Sequence, residues 1–550
     1  MLQSITLPSR ESIIALAVLT LLVFLAQRVF KIRMESQSLL PLPPSPPGGN
    51  IIAGHLATVL KAAKEHRQHL LFGKWAEQYG EVYFVRLGTF QEYFINSDQA
   101  VKAIFDKAAT QASERPRWIV SNEHICNRLN PLLLSASEKA WKDQRKATTM
   151  GLTSLTLADA GLPFLHFETL RFLNDIAGNP SKGADSHALF SSIGRYTYSN
   201  FASQVFGLDI PDDDSPAIDY IFETGIAQIL GILPGYYLVD TFTFLDKLPL
   251  FLKPWERSGR ARFQRDYEWC CQNLEKVKSL IDSGEAPPHM TFIRRVIEDK
   301  NHLGLKSVED AAYLGLMLII GASDTSRMST WAFLEAMLTF PDVCSKARKV
   351  IDDTVGDKVP VFEDLERMPY IRQVMKESWR WRPPVALGHP HTTSADLIYN
   401  GHRIPKGARI HLNAWAIHRD PKRYPEPEKF IPERFEGDVR SSQESAASPD
   451  VSKRDHFAFG AGRRICPGYH VADRSFAVSI MRILWAFDIT LRPGTRLPLN
   501  PQDFPGDMPG NPGLELPVVL TVRSTERLAT IQKEFEIAVQ QRPKMEPLVV

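Results

Sequence analysis

The sequence predicts a mainly α-helical chain with a smaller β region, folded as one large domain behind an apolar N-terminal helix. Three observations carry that reading. Residues 307–340, "SVEDAAYLGLMLIIGASDTSRMSTWAFLEAMLTF", open on a Ser-x-x-Asp start, meet no proline before Pro341 and are apolar on most faces, as a helix inside a large domain must be. Residues 82–97, "VYFVRLGTFQEYFINS", set two aromatic and β-branched runs either side of a turn at Gly88. Residues 12–27, "SIIALAVLTLLVFLAQ", carry no charge.

Taken in order, residues 1–11 read as a short luminal N-terminus and residues 12–30 as a transmembrane anchor. The uncharged stretch reaches roughly 24 Å as a helix, short of a bilayer core of about 30 Å, and a snorkelling Arg28 covers the difference. Arg28, Lys31 and Arg33 follow it, which keeps the body on the cytosolic side. A buried helix and a cleaved signal peptide are the alternatives. Residues 31–50 form a basic, Pro-rich linker ending in "LPLPPSPPGGN", a stiff spacer, and residues 51–550 form the catalytic domain. Residues 437–455, "GDVRSSQESAASPDVSKRD", are too polar to bury a core and read as a disordered surface loop.

With 550 residues, 44% of them hydrophobic, the chain can bury a large core. Its 65 basic and 63 acidic residues nearly cancel, which gives no reason to expect nucleic acid. Arg257, Arg260, Arg262 and Arg265 read as a solvated face. Five cysteines without C-x-x-C pairs argue against a disulfide framework and against structural zinc, as suits a reducing compartment.

Four motifs carry chemistry. "FAFGAGRRICPG", residues 457–468, fits F-x-x-G-x-R-x-C-x-G through Phe459, Gly462, Arg464, Cys466 and Gly468. A thiolate acting as a metal ligand needs donors for its charge and a backbone able to approach a flat cofactor, whose carboxylate Arg464 would pair; a glycine turn beside an inert cysteine is the bland alternative. In "KESWRWRPP", Glu377 and Arg380 lie three apart on one helical face, ordinarily a surface ion pair of little value. "GASDTS" puts Asp324 and Thr325 inside an apolar helix, where they need partners or a task. "KAWKDQRK" sets Trp141 and Arg145 four apart, by itself no more than a surface cation-π pair.

Together these motifs resemble those of the cytochrome P-450 superfamily of haem-thiolate monooxygenases, over about residues 41–534. The resemblance implies that Cys466 is the axial ligand of the iron of haem b. It implies that Arg464, Trp141, Arg145 and His391, with Phe459, Gly462 and Gly468, hold that haem. Arg434 of "FIPERF" joins Glu377 and Arg380 in a buried structural triad, and Asp324 with Thr325 relays protons in dioxygen activation. Ile320, Gly321, Ala322, Val385, Ala386 and Leu387 are expected to line a substrate pocket, with residues 122–130 and the turn near Gly510 as further walls. The family usually has Gly where this chain has Ala322, which narrows the groove and implies altered substrate fit.

"SERPR" (113–117), "PGYYLVDTFTFLDKLP" (234–249) and "WRWRPPVALGHPH" (379–391) resemble fungal microsomal members, including those of secondary-metabolite pathways. The expectation is a monooxygenase of the endoplasmic reticulum membrane, single-pass and facing the cytosol, that inserts one oxygen atom into a hydrophobic small molecule. No flavin or nicotinamide fingerprint is apparent, so electrons are expected from NADPH through a separate NADPH-cytochrome P-450 reductase, with cytochrome b5 as a second donor. Competing readings are a haem-thiolate isomerase or dehydratase, a xenobiotic or lipid hydroxylase, and a non-catalytic haem sensor or carrier; the proton relay weighs against the isomerase.

Overall fold

The computed structural model describes residues 40–50, 53–233, 236–287, 289–497 and 516–550. Its longer helices, in order, are α1 (Leu56–Lys64), α2 (Gln68–Tyr79), α3 (Lys139–Thr148), α4 (Leu162–Gly178), α5 (Ser186–Phe206), α6 (Pro216–Gly231), α7 (Pro254–Asp282), α8 (Val308–Thr339), α9 (Pro341–Val355), α10 (Pro369–Trp381), α11 (Tyr469–Ala486) and α12 (Thr525–Gln541). The β region is small. Strands β1 (Val82–Leu87) and β2 (Phe90–Ile95) form the expected antiparallel hairpin, with Gly88 in the turn. β3 (His391–Thr392) and β6 (Arg409–Leu412) extend it to the order β1-β2-β6-β3, with β2 and β6 parallel. Two separate hairpin-like pairs are β4 (Leu397–Tyr399) with β5 (His402–Ile404), and β7 (Phe487–Leu491) with β8 (Val518–Val522).

Helix α8 runs through the centre. The Ser307 side chain caps it by accepting the Asp310 N–H at 3.1 Å, and Glu309 and Asp310 place negative charge at the positive end of its dipole. It stops at Phe340, the residue before Pro341, where the α region is disfavoured. Between those ends it is buried on nearly every side and packs most extensively on α5, with α7, α10 and α11 also in contact. Two large apolar clusters meet along it. One joins α4, α9, α10 and α11; the other joins α5, α6 and α7.

Residues 437–455 lie largely at the surface as expected, but the expectation of disorder is corrected. They are ordered mainly by polar contacts. Ser441 and Glu444 make a reciprocal capping box, the Ser442 hydroxyl donates to Asp473, and Lys376 stands between Asp438 and Asp455 at 3.0 and 3.4 Å. The strap is thereby fastened to α10 and α11.

Residues 40–50 lie along the domain: Pro41 O accepts the Arg403 N–H, Pro44 O accepts the Phe84 N–H, and Pro43 and Pro46 are buried. At the other end the chain is tied to the domain as well. Leu548 N–H donates to Asp209 O, Asp209 N–H donates to Glu546 O, and Asn273 of α7 exchanges two hydrogen bonds with Val549. All five cysteines are free thiols. Of the arginine cluster on α7, Arg257, Arg260 and Arg265 are exposed as expected, while Arg262 reaches back to the Thr224 hydroxyl. No helix among the described residues is long and apolar enough to cross a membrane; residues 12–30 lie outside them.

Candidate active site

The floor of the site is the loop that precedes α11. Gly460 and Gly462 both take left-handed backbone conformations, φ +77° and +67°. Only Gly462 is also fixed by space, since a Cβ there would stand 2.1 Å from the carbonyl oxygen of Phe105. The glycine thus lets the loop lie against a neighbouring backbone, a different reason from close approach to a cofactor. The turn is closed by the Cys466 N–H donating to Phe459 O at 2.9 Å. Phe459 packs edge-on to Trp379 of α10 at 5.0 Å.

Cys466 Sγ then lies at the N-terminus of α11, where Gly468 is the capping residue and its N–H donates to the sulfur at 3.3 Å. Burial pushes the thiol pKa up, while that N–H and the nearby Arg145 oppose the shift. Such a sulfur is only partly exposed and is provided with donors for a thiolate. Arg145 of α3 donates to Ile465 O at 2.5 Å, and Trp141, one turn earlier, lies under the Arg464 guanidinium at 5.0 Å. The two residues that the sequence placed on one helical face are therefore both at the cysteine loop.

Around the rim, positive charge gathers without acidic partners. Arg464 donates to the carbonyls of Ser113, Pro131, Leu132 and Leu134. Arg115, which the sequence reading did not single out, donates to Leu132, His389 and Pro390 carbonyls. His391 bonds Ala112 O at 2.7 Å through Nδ1, so that nitrogen carries the proton. Burial, then mutual repulsion, lowers these groups: Arg464 to about 9, Arg115 well below its usual range, and His391 well below 6.5. Arg145 is lowered too, by burial. Among the described residues no carboxylate lies within ion-pair distance of Arg115, Arg145 or Arg464. A flat group carrying two carboxylates and an iron that accepts a thiolate fits this donor set.

A cavity of about 480 Å³ takes in this floor, with Cys466, Arg464, Arg145 and Phe459, and extends from it along α8 as the chamber. Helix α8 supplies one wall, with Ile320, Gly321, Ala322, Asp324 and Thr325. The Thr325 hydroxyl donates to the carbonyl of Gly321 at 2.9 Å, one turn back. Asp324 is turned toward α5: its Oδ1 accepts from the Tyr198 hydroxyl at 2.5 Å and from Arg327 at 3.1 Å, while Oδ2 has no hydrogen-bond partner among the described residues. Burial raises its pKa, and Arg327 and Tyr198 only partly offset the rise.

Val385 and Leu387 line the opposite wall. Ala386 does not, contrary to expectation; it is fully buried in the packing beside Trp415, whose N–H its carbonyl accepts at 2.9 Å. Of residues 122–130 only Asn130 reaches the chamber, because Ile119–Ile125 forms a π-helical segment packed against α7. Gly510 lies outside the described residues.

The triad holds the layer below. Arg380 meets Glu377 with two parallel bonds of 2.7 Å, and both side chains are fully buried. Glu377 also accepts from Arg434 at 3.3 Å and from the Ile431 N–H at 2.8 Å. The remaining Arg380 donors go to the carbonyls of His418, Pro427 and Lys429. The motif is a hub for the coil between β6 and the cysteine loop.

The arrangement of a lone thiol at a helix N-terminus, a cationic rim and an apolar chamber crossed by one long helix defines a haem-thiolate site. Comparison with known proteins agrees. The family model for cytochrome P450 matches residues 43–510. A cytochrome P450 monooxygenase of Gibberella fujikuroi is 82% identical over 549 residues, spanning all of both chains. The cytochrome P450 monooxygenase virE of Hypocrea virens is 34% identical, over 86% of this chain and 82% of its own. In fold, the chain is similar to a zebra fish cytochrome P450 solved with abiraterone, at 18% identity and a TM-score of 0.61, over 83% of this chain and all of that one. The chain belongs to the cytochrome P450 family. It is an enzyme, a cytochrome P450 monooxygenase, and the family implies haem b as its cofactor.

Proposed function

We propose that the protein oxidises a hydrophobic small molecule, by hydroxylation, epoxidation or a short series of such steps, in a fungal secondary-metabolite pathway. The observation that carries this is the pairing of Cys466 Sγ, held by the Gly468 N–H, with the chamber above it, whose walls are largely apolar. Haem bound there supplies dioxygen activation, which a thiolate ligand favours over histidine. Cys466 would hold its iron through the thiolate, and Arg115, Arg145, Arg464 and His391 would receive its carboxylates beside Trp141. Asp324 Oδ2, whose pKa is raised, holds a proton at the chamber wall, and Thr325 Oγ1 passes it inward by releasing the Gly321 carbonyl. Phe459, Ile320 and Val385 exclude water from the reacting atoms.

Electrons come from NADPH through a separate reductase, with cytochrome b5 as a further donor. The enzyme resides on the endoplasmic reticulum membrane, anchored by residues 12–30 with the catalytic domain in the cytosol. The exposed apolar side chains Tyr236, Leu238, Phe244, Leu250, Phe251 and Leu252, gathered in one connecting segment, support contact with lipid. Names of the relatives above support the oxygenase chemistry, and their fungal sources support the pathway setting.

The test is the absorbance of the dithionite-reduced protein under carbon monoxide, for wild type and Cys466→Ala. The long-wavelength Soret band of cysteinate-ligated haem is expected in the first and lost in the second. NADPH consumption with added reductase should then depend on an apolar compound. Turnover that proceeds without NADPH would instead establish the isomerase chemistry.

A further inference from the structure

We propose that Gln228 is a specificity-determining residue: its side-chain amide donates a hydrogen bond to an oxygen acceptor on an otherwise hydrophobic substrate. The inference deepens the monooxygenase reading, since it rests on the chamber being the substrate's site.

Gln228 lies on α6, facing the chamber with Gly225, Ile229 and Ile232. It is 7% exposed, and its Nε2 has no hydrogen-bond partner among the described residues. The direction of its amide is fixed by a chain of bonds that starts from a backbone donor. The Leu132 N–H donates to Asn130 Oδ1 at 2.9 Å, so the Asn130 oxygen must point that way. Asn130 Nδ2 is then left to donate to Gln228 Oε1 at 3.0 Å, with Cys126 Sγ a second acceptor at 4.0 Å. Reversing either amide would set two donors against each other. Gln228 can therefore offer only its NH₂ to a new partner, and that NH₂ is buried at the chamber wall.

A buried, unpaired amide is costly to leave unmatched, and a ligand acceptor recovers that cost on binding. A single donor in an apolar wall is also what orients a hydrophobic guest and rejects its analogue lacking the oxygen. Carbonyl, ether and hydroxyl oxygens share this chemistry. A molecule that offers only a donor at that position is disfavoured.

Three tricyclic probes of nearly equal shape separate the possibilities: fluorene, which has neither group, 9-fluorenone, an acceptor, and carbazole, a donor. Binding to the haem-loaded full chain is measured by equilibrium dialysis, and the carbon monoxide spectrum is recorded on the same preparations. Wild type is expected to bind fluorenone about tenfold more tightly than fluorene or carbazole, the worth of one recovered hydrogen bond. In Gln228→Leu the fluorenone advantage disappears while fluorene affinity is kept, which also reports an intact chamber. In Asn130→Asp the carboxylate still accepts from Leu132 but must now accept from Gln228 Nε2, which turns Oε1 inward and makes carbazole the preferred probe. Equal affinities for the three probes in wild type would overturn the proposal, as would a fluorenone advantage that survives in Gln228→Leu or a ranking unchanged in Asn130→Asp. A carbon monoxide Soret band at the shorter wavelength in the haem-loaded chain would sink the monooxygenase reading alone, because the dialysis ranking judges Gln228 whichever ligand the iron carries.

Discussion

The floor and the roof of the chamber are built on opposite principles. The floor is a short loop whose shape is set by glycines and backbone bonds: Gly462 against Phe105, Cys466 N–H to Phe459 O, and Gly468 N–H to the sulfur. Its charges are all of one sign. The roof, the side of the chamber formed by α6 and α8, is largely apolar, with an oriented amide pair, Asn130 and Gln228, and with Asp324, whose Oδ1 is bonded and whose Oδ2 has no partner among the described residues. The difference teaches that the cysteine site is held by constraint of the backbone itself, whereas the amide pair is held by side chains that can be exchanged without disturbing the chain.

That contrast can be broken first at its support. Arg380→Leu leaves Glu377 buried without its bidentate partner and should cost about 3–5 kcal/mol, read as a large drop in melting temperature and in haem content. A loss below 1 kcal/mol would mean the coil over the floor holds itself. Gly462→Ala forces both a left-handed alanine and a clash with the Phe105 carbonyl, for about 3 kcal/mol, while Gly468→Ala meets only an ordinary contact 3.8 Å from Sγ and should be milder.

Acidity sharpens the contrast, because floor and roof titrate with opposite sign. His391 has a folded pKa well below 6.5, so the unfolded chain binds the extra proton and stability falls as pH drops below about 6.5, by up to about 1.4 kcal/mol per pH unit. Asp324 has a folded pKa above 3.8, so its contribution is fullest below that value and is lost as pH rises through the folded pKa. Melting curves of His391→Gln and Asp324→Asn against pH should therefore deviate from wild type on opposite sides. Smallest is Ala322→Gly in the middle of α8, expected to cost about 0.5–1 kcal/mol while admitting bulkier ligands.

The floor was legible in the sequence because it depends on residue types with few substitutes. Glycine at φ +67°, a thiol at a helix start and an i,i+3 carboxylate–guanidinium pair all appear as letters at fixed spacing. The long helix α8 and the β1–β2 hairpin were legible for the same reason, since capping, proline and periodicity are local. What depended on distant contacts was not. Arg115 resembles any loop arginine until two of its carbonyl partners come from residues 274 and 275 positions away. Gln228 acquires meaning only from Asn130, and Ala386 leaves the wall only because Trp415 claims its carbonyl. The strap of residues 437–455 looked incapable of order because composition reports apolar burial and says nothing about hydrogen bonds assembled across the fold.

The tying of the final residues to Asp209 and Asn273 has a mechanical consequence. A pull applied at Val550 enters the molecule through α7 and the end of α5, and so is borne by the helices packed on α8. The cysteine loop lies off that load path. A tether to a surface at that end would strain the part of the protein that receives the guest and leave untouched the part that holds the iron.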